Sequence, residues 1–237
     1  NAVGAGDTGT TVQAGDNITG GGGNKDTMSI AVAGASGASY TIQALSLTGV
    51  EILDITNFDS DANDARDTTV DAVLMSGLTD VKLSSSNATG DTSVDNLANI
   101  VDLTVSNGSA DMALVYNASV VVGTADTQNI SVSNTSAGTV TVAGVETVNL
   151  SVGAAAATLD DLVINNATVL NVTGGNNLTI SNDIDFADST GGTKALDGTI
   201  NASAFTGKLT VTPNANDNVS ITGGTKDATH ALEGGLD

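Results

Sequence analysis

The densest cluster of side chains able to coordinate a ligand lies at residues 57–71, where carboxylates crowd a short polar stretch. Carboxylate and amide oxygens are ligands that Ca²⁺ takes in proteins, so this stretch predicts a calcium-binding loop. Its Asp-x-Asp-x-Asn start has EF-hand spacing, but the sixth position is Asp64 instead of glycine and the twelfth is Val70 instead of glutamate, so it is not an EF-hand. A solvated surface loop is the alternative. The candidate ligands here are Asp59, Asp61, Asn63, Asp64 and Asp67.

Glycine- and aspartate-rich turns recur outside this cluster. Gly20-Gly21-Gly22-Gly23-Asn24-Lys25-Asp26 is echoed near the other end by Gly223-Gly224-Thr225-Lys226-Asp227, and a further acidic turn runs through residues 182–188. Glycine permits tight turns, and an aspartate beside it holds a carboxylate close to the backbone. Flexible glycine-rich linkers are the alternative at the two ends. These turns add six candidate calcium ligands, which are Asp16, Asp26, Asp183, Asp185, Asp188 and Asp227.

The charge of the chain limits its partners. Twenty-seven acidic residues against 6 basic ones give a formal net charge of −21, which excludes nucleic acid and anionic membrane surfaces on electrostatic grounds. All the acidic residues except Glu51, Glu146 and Glu233 are aspartates. Aspartate suits turns that bind hard cations together with main-chain carbonyls. An acidic surface that only keeps the protein soluble is the alternative.

The elements between these turns are predicted by a repeated phrase, in which an apolar residue is followed by two free positions and then by apolar, polar and apolar residues. Copies aligned on the middle apolar residue make five positions equivalent, at steps of 28, 20, 47 and 22 residues. Alternation with period two indicates a strand with one buried face. The step of 47 residues is about two of the shorter steps, and a recurrence of about 20 to 28 residues matches one coil of a solenoid. The sequence therefore predicts an all-β parallel β-helix or β-solenoid with Gly/Asp-rich turns. A β-sandwich or several small β-domains are the alternatives. The aligned residues are Leu53, Val81, Val101, Val148 and Leu170.

Composition favours the solenoid over the sandwich. Aromatic residues make up only 2% of the chain, whereas a sandwich of this size anchors its core on several large rings. Long stretches of Gly, Asn, Thr, Ser and Val disfavour helix, and we expect helical turns only within residues 91–101 and 153–163. The many asparagines are expected to stack as ladders along the coils, each amide bonding to the next.

We predict three segments: a Gly/Asp-rich segment over residues 1–28, a solenoid body over 29–222, and a Gly/Asp-rich boundary segment over 223–237. The chain contains no cysteine, so its stability outside the cytosol must come from stacking, metal or assembly. No apolar run is long enough to cross a bilayer. The ends are typical of a piece excised from a longer exported protein.

The run from Gly20 to Asp26 resembles the glycine-rich nonapeptide G-G-x-G-x-D-x-U-x of RTX proteins, with Lys25 inserted before Asp26. In that family the turn carbonyls and the aspartate of successive copies hold calcium ions between coils of a parallel β-roll. The Thr/Ala/Asn/Val-rich texture, with phrases such as Ala143-Gly144-Val145-Glu146-Thr147-Val148-Asn149-Leu150, is similar to calcium-dependent S-layer proteins of Gram-negative bacteria. The resemblance implies type I secretion, a place on the cell exterior, one or a few Ca²⁺ sites, and assembly with identical copies as a lattice or filament. It also allows a cell-surface polysaccharide as a partner.

The inventory of reactive residues does not favour an enzyme. There is no cysteine nucleophile, and the one histidine, His230, lies in a Gly/Asp-rich tail. The carboxylate pairs Asp160-Asp161 and Asp183/Asp185 could in principle cut a glycosidic bond, but the chain has few rings to line sugar subsites. We therefore expect a structural, self-assembling surface-layer segment without catalytic residues. An RTX-type adhesin that binds glycans or another cell is the alternative. Too few Thr-x-Thr phrases occur to predict an ice- or mineral-binding face.

Overall fold

The computed structural model describes residues 2–3, 12, 15–32, 40–58, 68–186, 198–212, 218–226 and 229–230. Within these residues the chain is entirely strands, turns and connecting segments, without helix. No segment of this described part forms a helix that is long and apolar enough to cross a membrane. Contacts divide the chain into an N-terminal unit, Asn1–Val120, and a C-terminal unit, Val121–Asp237.

The N-terminal unit contains two parallel sheets and one short strand pair. Its large sheet has the order β1-β3-β6-β8-β10, its second sheet the order β4-β7-β9-β11, and β2 pairs with β5. The strands are β1 (Ala2–Val3), β2 (Asn17–Thr19), β3 (Thr27–Val32), β4 (Tyr40–Ile42), β5 (Ser46–Thr48), β6 (Ile52–Asn57), β7 (Thr68–Asp71), β8 (Asp80–Ser84), β9 (Thr92–Leu97), β10 (Asp102–Ser106) and β11 (Met112–Tyr116).

The C-terminal unit repeats this plan with a third sheet. Its large sheet has the order β12-β14-β17-β20-β22, its second sheet β13-β16-β19 and its third sheet β15-β18-β21-β23. Each coil thus contributes successive strands to different sheets. The strands are β12 (Thr127–Ser133), β13 (Val140–Val142), β14 (Thr147–Val152), β15 (Ala157–Leu159), β16 (Leu162–Val163), β17 (Val169–Gly174), β18 (Leu178–Ile180), β19 (Ile184–Asp185), β20 (Gly198–Asn201), β21 (Leu209–Val211), β22 (Val219–Thr222) and β23 (Thr229–His230).

The core of each unit is a stack of aliphatic side chains from successive coils. In the large sheet of the C-terminal unit Ile130, Leu150 and Val172 are paired in register, and all three are buried. Burying a side chain of this size contributes roughly 1.5–3 kcal/mol, but only when a neighbouring coil covers it. Both units are therefore built as parallel β-solenoids, as the repeated phrase predicts. The prediction of an all-β solenoid is confirmed.

The register corrects the alignment of the repeated phrase at one copy. Leu53 pairs with Val81 as expected, but Val81 pairs with Leu103 and not with Val101. Val101 is buried just before β10 begins. Val101 and Leu103 are two positions apart, so they lie on the same face of an alternating pattern. The prediction that they point inward is therefore correct, whereas the predicted register is wrong by two residues.

The two expected helical turns are wrong. Residues 92–97 form β9 within the 91–101 segment, and the 153–163 segment contains β15 and β16 and no helical turn. The alanines at 154–157 raise helix propensity locally, but Ala157 and Leu159 are buried in register with Leu178 and Ile180. Packing of a β-ladder outweighs intrinsic propensity here.

The corner that follows the large-sheet strands uses residues in the left-handed region. Ser85, Asn107 and Asn134 directly follow β8, β10 and β12, with φ of 54°, 55° and 54°. Gly174, the last residue of β17, has φ of 123°. Asparagine and glycine tolerate this region better than other residues, which explains why they recur at this corner of successive coils.

The segment boundaries predicted at residues 28/29 and 222/223 stay a prediction.

Candidate functional site

Four of the predicted calcium ligands, Asp16, Asp26, Asp183 and Asp185, lie in the described part of the chain, and all four are half-buried at turns or strand ends. The described residues contain no group of three or more His, Cys, Asp or Glu side chains arranged to hold a metal ion. Calcium binding therefore stays a prediction. The remaining candidates lie outside the described residues and are Asp59, Asp61, Asn63, Asp64, Asp67, Asp188 and Asp227.

Asp26 contacts the next coil through its backbone. Its amide N–H donates to Oε2 of Glu51 at 3.0 Å, and its carbonyl accepts the amide N–H of Glu51 at 3.1 Å. The C-terminal unit repeats the arrangement, since the amide of Asp126 donates to Oε2 of Glu146 at 2.8 Å and the carbonyl of Asp126 accepts the Glu146 amide at 3.2 Å. Both glutamates therefore cap a backbone amide of the preceding coil just before a large-sheet strand.

Aspartates do the same at the strands of the second sheet. Oδ1 of Asp91 accepts the amide of Asp111 at 3.2 Å, and Oδ1 of Asp161 accepts the amide of Asp183 at 3.1 Å. Asp161 also accepts a hydrogen bond on Oδ2 from the hydroxyl of Thr139, at 3.3 Å. Thr139 belongs to the preceding coil and Asp183 to the following one, so one carboxylate links three consecutive coils.

The carboxylate pairs considered for glycosidic chemistry have structural partners in this arrangement. Asp160 Oδ2 accepts the amide of Gly138 at 3.4 Å, toward the preceding coil, while Asp161 reaches the amide of Asp183 in the following coil. Asp185 lies in β19, where it pairs in register with Val163. A carboxylate that accepts a backbone N–H satisfies a donor at a turn, where the ladder between strands is interrupted.

One carboxylate departs from this pattern. Asp71 and Asp95 are register partners in β7 and β9 of the N-terminal unit. Asp71 Oδ1 accepts hydrogen bonds from the amide of Val73 at 3.2 Å and from Nδ2 of Asn96 at 2.9 Å. Oδ1 of Asp95 is buried and makes no hydrogen bond. Two like charges on adjacent strands with one orphaned oxygen are unfavourable for folding.

Gly20, the first glycine of the run from Gly20 to Asp26, has a packing role in the structure. The amide of Gly20 donates to the carbonyl of Thr48 at 2.9 Å. A Cβ on Gly20 would collide with the carbonyl of Gly49 in the neighbouring coil, so only glycine allows the two backbones to approach this closely. The side chain of Asp26 lies against Gly23, at the end of the same turn.

The stacking of asparagines is confirmed on the outer side of the large sheet of the C-terminal unit. Nδ2 of Asn149 donates to Oδ1 of Asn129 at 3.0 Å, Nδ2 of Asn171 to Oδ1 of Asn149 at 2.9 Å, and Nδ2 of Asn201 to Oδ1 of Asn171 at 3.2 Å. The four residues are register partners on β12, β14, β17 and β20. This continuous chain of amides fixes their side-chain orientations.

The asparagine ladder is the middle column of an uncharged, mostly polar surface that we call the ladder face. Its members point outward from four adjacent strands, and none of them is charged or aromatic. The large sheet of the N-terminal unit differs, because Asp54 faces Lys82 and Asp80 faces Asp102 in register on its outer side. The ladder face consists of Thr127, Asn129, Ser131, Thr147, Asn149, Ser151, Val169, Asn171, Thr173, Thr199 and Asn201.

Sequence reasoning missed the capping glutamates. The signal was present, because Glu51 and Glu146 both stand two residues before an aligned apolar position, Leu53 and Val148 respectively.

Comparison with known proteins identified no relative, since no family model, curated protein or solved structure matches this chain.

Proposed function

We propose that this chain is a structural segment of a secreted surface layer, a calcium-stabilised β-solenoid that assembles with identical copies on the cell exterior. The observation that supports it most is how its acidic side chains are used. Glu51, Glu146, Asp91, Asp160 and Asp161 all accept backbone N–H groups from a neighbouring coil. Groups that could do chemistry are thus employed in holding coils together, as a mechanical role requires.

The calcium part of the proposal rests on charge and on sequence. A net charge of −21 opposes close packing of copies, and divalent cations at the acidic turns would reduce that repulsion. The large-sheet step between Leu53 and Val81 is 28 residues, whereas the step between Val81 and Leu103 is 22. The longer step contains residues 59–67, so these predicted ligands lie within the longer coil, between β6 and β7 in the chain.

The test is assembly of the purified chain as a function of calcium. We expect particles detectable by light scattering and electron microscopy at about 1 mM Ca²⁺, the range in which extracellular calcium modules bind, and their dissociation with chelator. Mg²⁺ at equal ionic strength is the control for screening. Assembly that persists unchanged in chelator would contradict the calcium dependence. A monomer at every calcium concentration that binds a glycan array would favour the adhesin.

A paired set of variants separates a bound ion from bulk charge. Asp59→Asn with Asp61→Asn removes two predicted ligands, and Asp80→Asn with Asp102→Asn removes the same charge from an outward strand surface. We expect only the first pair to lower the calcium-dependent rise in melting temperature. Equal effects of both pairs would assign the effect of calcium to general screening.

A further inference from the structure

The ladder face is unusual in a chain of this charge. Eleven outward side chains on four strands carry no charge, although the chain as a whole has a net charge of −21. The third sheet of the C-terminal unit is also uncharged on its outward side but presents only the single column Thr158, Thr179 and Thr210, whereas the other wide outward sheet surfaces of the described strands carry acidic residues. Asp80 and Asp102 lie on the large sheet of the N-terminal unit, and Asp185 lies on the second sheet of the C-terminal unit.

We propose that the ladder face binds the ladder face of a second copy of this chain. The inference rests on the proposed self-assembly and names the surface through which copies meet. Contact between identical patches gives an isologous interface, in which each residue meets the same set of residues on the partner.

Charge is the first argument for this surface. Burying a carboxylate in an interface costs several kcal/mol unless it is paired, and like charges brought together add repulsion. Two strongly acidic copies therefore approach at least cost where neither presents a carboxylate. At the margin of the face, the Glu146 carboxylate accepts the backbone amide of Asp126, and the Asp126 carboxylate accepts the amide of Gly123.

The second argument is that the ladder fixes the asparagine side chains in advance and that both copies have the same spacing between strands. Asn149 and Asn171 each use one N–H and one acceptor position along the ladder, which leaves each amide a second N–H outside the ladder. Because the ladder already fixes these side chains, a partner loses little additional conformational freedom by ordering them. Neighbouring strands of a sheet lie about 4.7–4.9 Å apart, and the ladder face of a second copy has the same spacing. The polar side chains of the two faces can therefore stay in register along the whole contact.

Other occupants fit less well. The face has no aromatic ring on which a sugar could stack, and Val169 interrupts the column of Thr127, Thr147 and Thr199 that an ice or mineral lattice would need. A neutral polysaccharide is therefore an alternative outcome of the test and not the proposal.

The size of the face sets how such a contact behaves. Four strands of about six residues cover roughly 19 by 20 Å, or about 400 Å² per copy. This is about half of the roughly 800 Å² per partner that stable pairs bury. A single isologous contact of this kind is weak and closes at a dimer. Larger assemblies need it together with a second contact, so we expect a concentration threshold for assembly and not a tight dimer.

The experiment compares two threonines that both point outward from the C-terminal unit. Thr147 lies on the ladder face, whereas Thr179 lies on the third sheet between Thr158 and Thr210. Thr147→Asp places a carboxylate in the proposed interface, and Thr179→Asp adds the same charge elsewhere. We expect Thr147→Asp to raise the threshold concentration for assembly at least about tenfold, the factor that corresponds to about 1.4 kcal/mol, and Thr179→Asp to leave it near that of the wild-type chain. Thermal melting must show both variants folded.

Cross-linking gives a second readout that does not depend on the effect of added charge. The chain has no cysteine, so Thr147→Cys and Thr179→Cys each introduce a single thiol. We expect a short bifunctional maleimide to link copies of Thr147→Cys in assembled material and to leave Thr179→Cys unlinked.

The outcomes separate the two proposals. Assembly with an equal threshold for both aspartate variants, together with equal cross-linking, overturns the ladder face as the interface and leaves the surface-layer function standing. Failure of the wild-type chain to assemble at any calcium concentration overturns both. If Thr147→Asp assembles normally but loses binding to a neutral glycan array, the face is a polysaccharide site and the inference is wrong.

Discussion

The side-chain amide of Asn57, the last residue of β6, donates a hydrogen bond to the hydroxyl of Thr68, the first residue of β7. Nδ2 of Asn57 lies 3.2 Å from Oγ1 of Thr68, and residues 59–67 fall between them in the chain. The same amide lies 3.3 Å from the carbonyl of Asp91 and 3.3 Å from Oγ1 of Thr92 in the next coil. Asn57 is fully buried. Asn57 therefore connects β6 to β7 and to the next coil.

Removing this amide is expected to destabilise the fold. Asn57→Ala removes the donor to the buried hydroxyl oxygens of Thr68 and Thr92 and one of two donors to the Asp91 carbonyl, which also accepts the Thr68 amide. We expect a loss of about 1–3 kcal/mol, because buried groups cannot replace the lost donor with water. Asn99→Ala is the matched control, since Nδ2 of Asn99 makes one exposed hydrogen bond, to the carbonyl of Ser76 at 2.8 Å. Urea unfolding measures both. Equal losses in the two variants would contradict the role assigned to Asn57.

Substitution of Glu146 separates an amide cap from a calcium ligand. Glu146→Gln keeps an oxygen that can accept the Asp126 amide, so we expect a loss of less than about 1 kcal/mol. Glu146→Ala leaves that half-buried amide without its side-chain acceptor, and we expect a loss of about 1–2 kcal/mol. Unfolding in chelator measures the cap alone. If glutamine instead abolishes a stabilisation by calcium and has no effect in chelator, Glu146 is a metal ligand.

The fold could be predicted because one coil is short enough to leave a visible period. Alternation of apolar and polar residues fixed which side chains point inward, and the shortage of rings disfavoured a sandwich. Register could not be fixed at every copy, since Val101 and Leu103 are both apolar and both buried. Only the pairing of Leu103 with Val81 across coils decides between them.

The candidate site was harder to predict than the fold. An aspartate at a turn has the same sequence signature whether it binds calcium or caps the amide of a neighbouring coil, as Asp161 does for Asp183. The difference depends on which residues stack, and stacking is set by register. The sequence predicts that asparagines stack along the coils, but it does not identify which ones. Asn129, Asn149 and Asn171 can be singled out only from the register of their strands.

Replacing Asp95 is expected to stabilise the protein. Oδ1 of Asp95 is buried without a hydrogen bond beside its register partner Asp71. Asp95→Asn removes the like charge and supplies an N–H that can donate toward the Asp71 carboxylate, so the free energy of unfolding should rise by about 1 kcal/mol. Asp102→Asn is the matched control, because it relieves another like-charge register pair, Asp80 and Asp102, at an exposed position, so a larger gain for Asp95→Asn measures the contribution of the buried orphan oxygen. A decrease in stability for Asp95→Asn would show that the carboxylate has a favourable partner, such as a cation.

The left-handed corner at Ser85 offers a second stabilising change. Ser85 is exposed and has φ of 54°, a region that costs most residues about 1 kcal/mol or more. Asn107 follows the register partner of Ser84 in the next coil and adopts φ of 55°. Ser85→Asn should therefore raise the free energy of unfolding by several tenths to about 1 kcal/mol. The reciprocal Asn107→Ser should lower it by a similar amount, and thermal melting of the pair checks the sign.

Tyr116 should make the N-terminal unit sensitive to alkaline pH. Burial raises the pKa of its hydroxyl well above the ordinary value, the nearby charge of Asp102 adds to this, and a hydrogen bond with the Val101 backbone acts in the opposite direction. The unfolded chain loses this proton near pH 10 or so while the folded chain keeps it. Stability from this group is therefore complete below about pH 10 and falls by up to about 1.4 kcal/mol per pH unit above it.

Two tyrosine-to-phenylalanine variants isolate this effect. The chain has two tyrosines and no tryptophan, so near-ultraviolet absorbance of tyrosinate reports the titration directly. We expect Tyr116→Phe to flatten the alkaline decline of the free energy of unfolding and Tyr40→Phe to retain it. In the folded chain, the late tyrosinate titration assigned to Tyr116 should disappear in Tyr116→Phe. A decline of equal slope in both variants would assign the alkaline sensitivity to other groups.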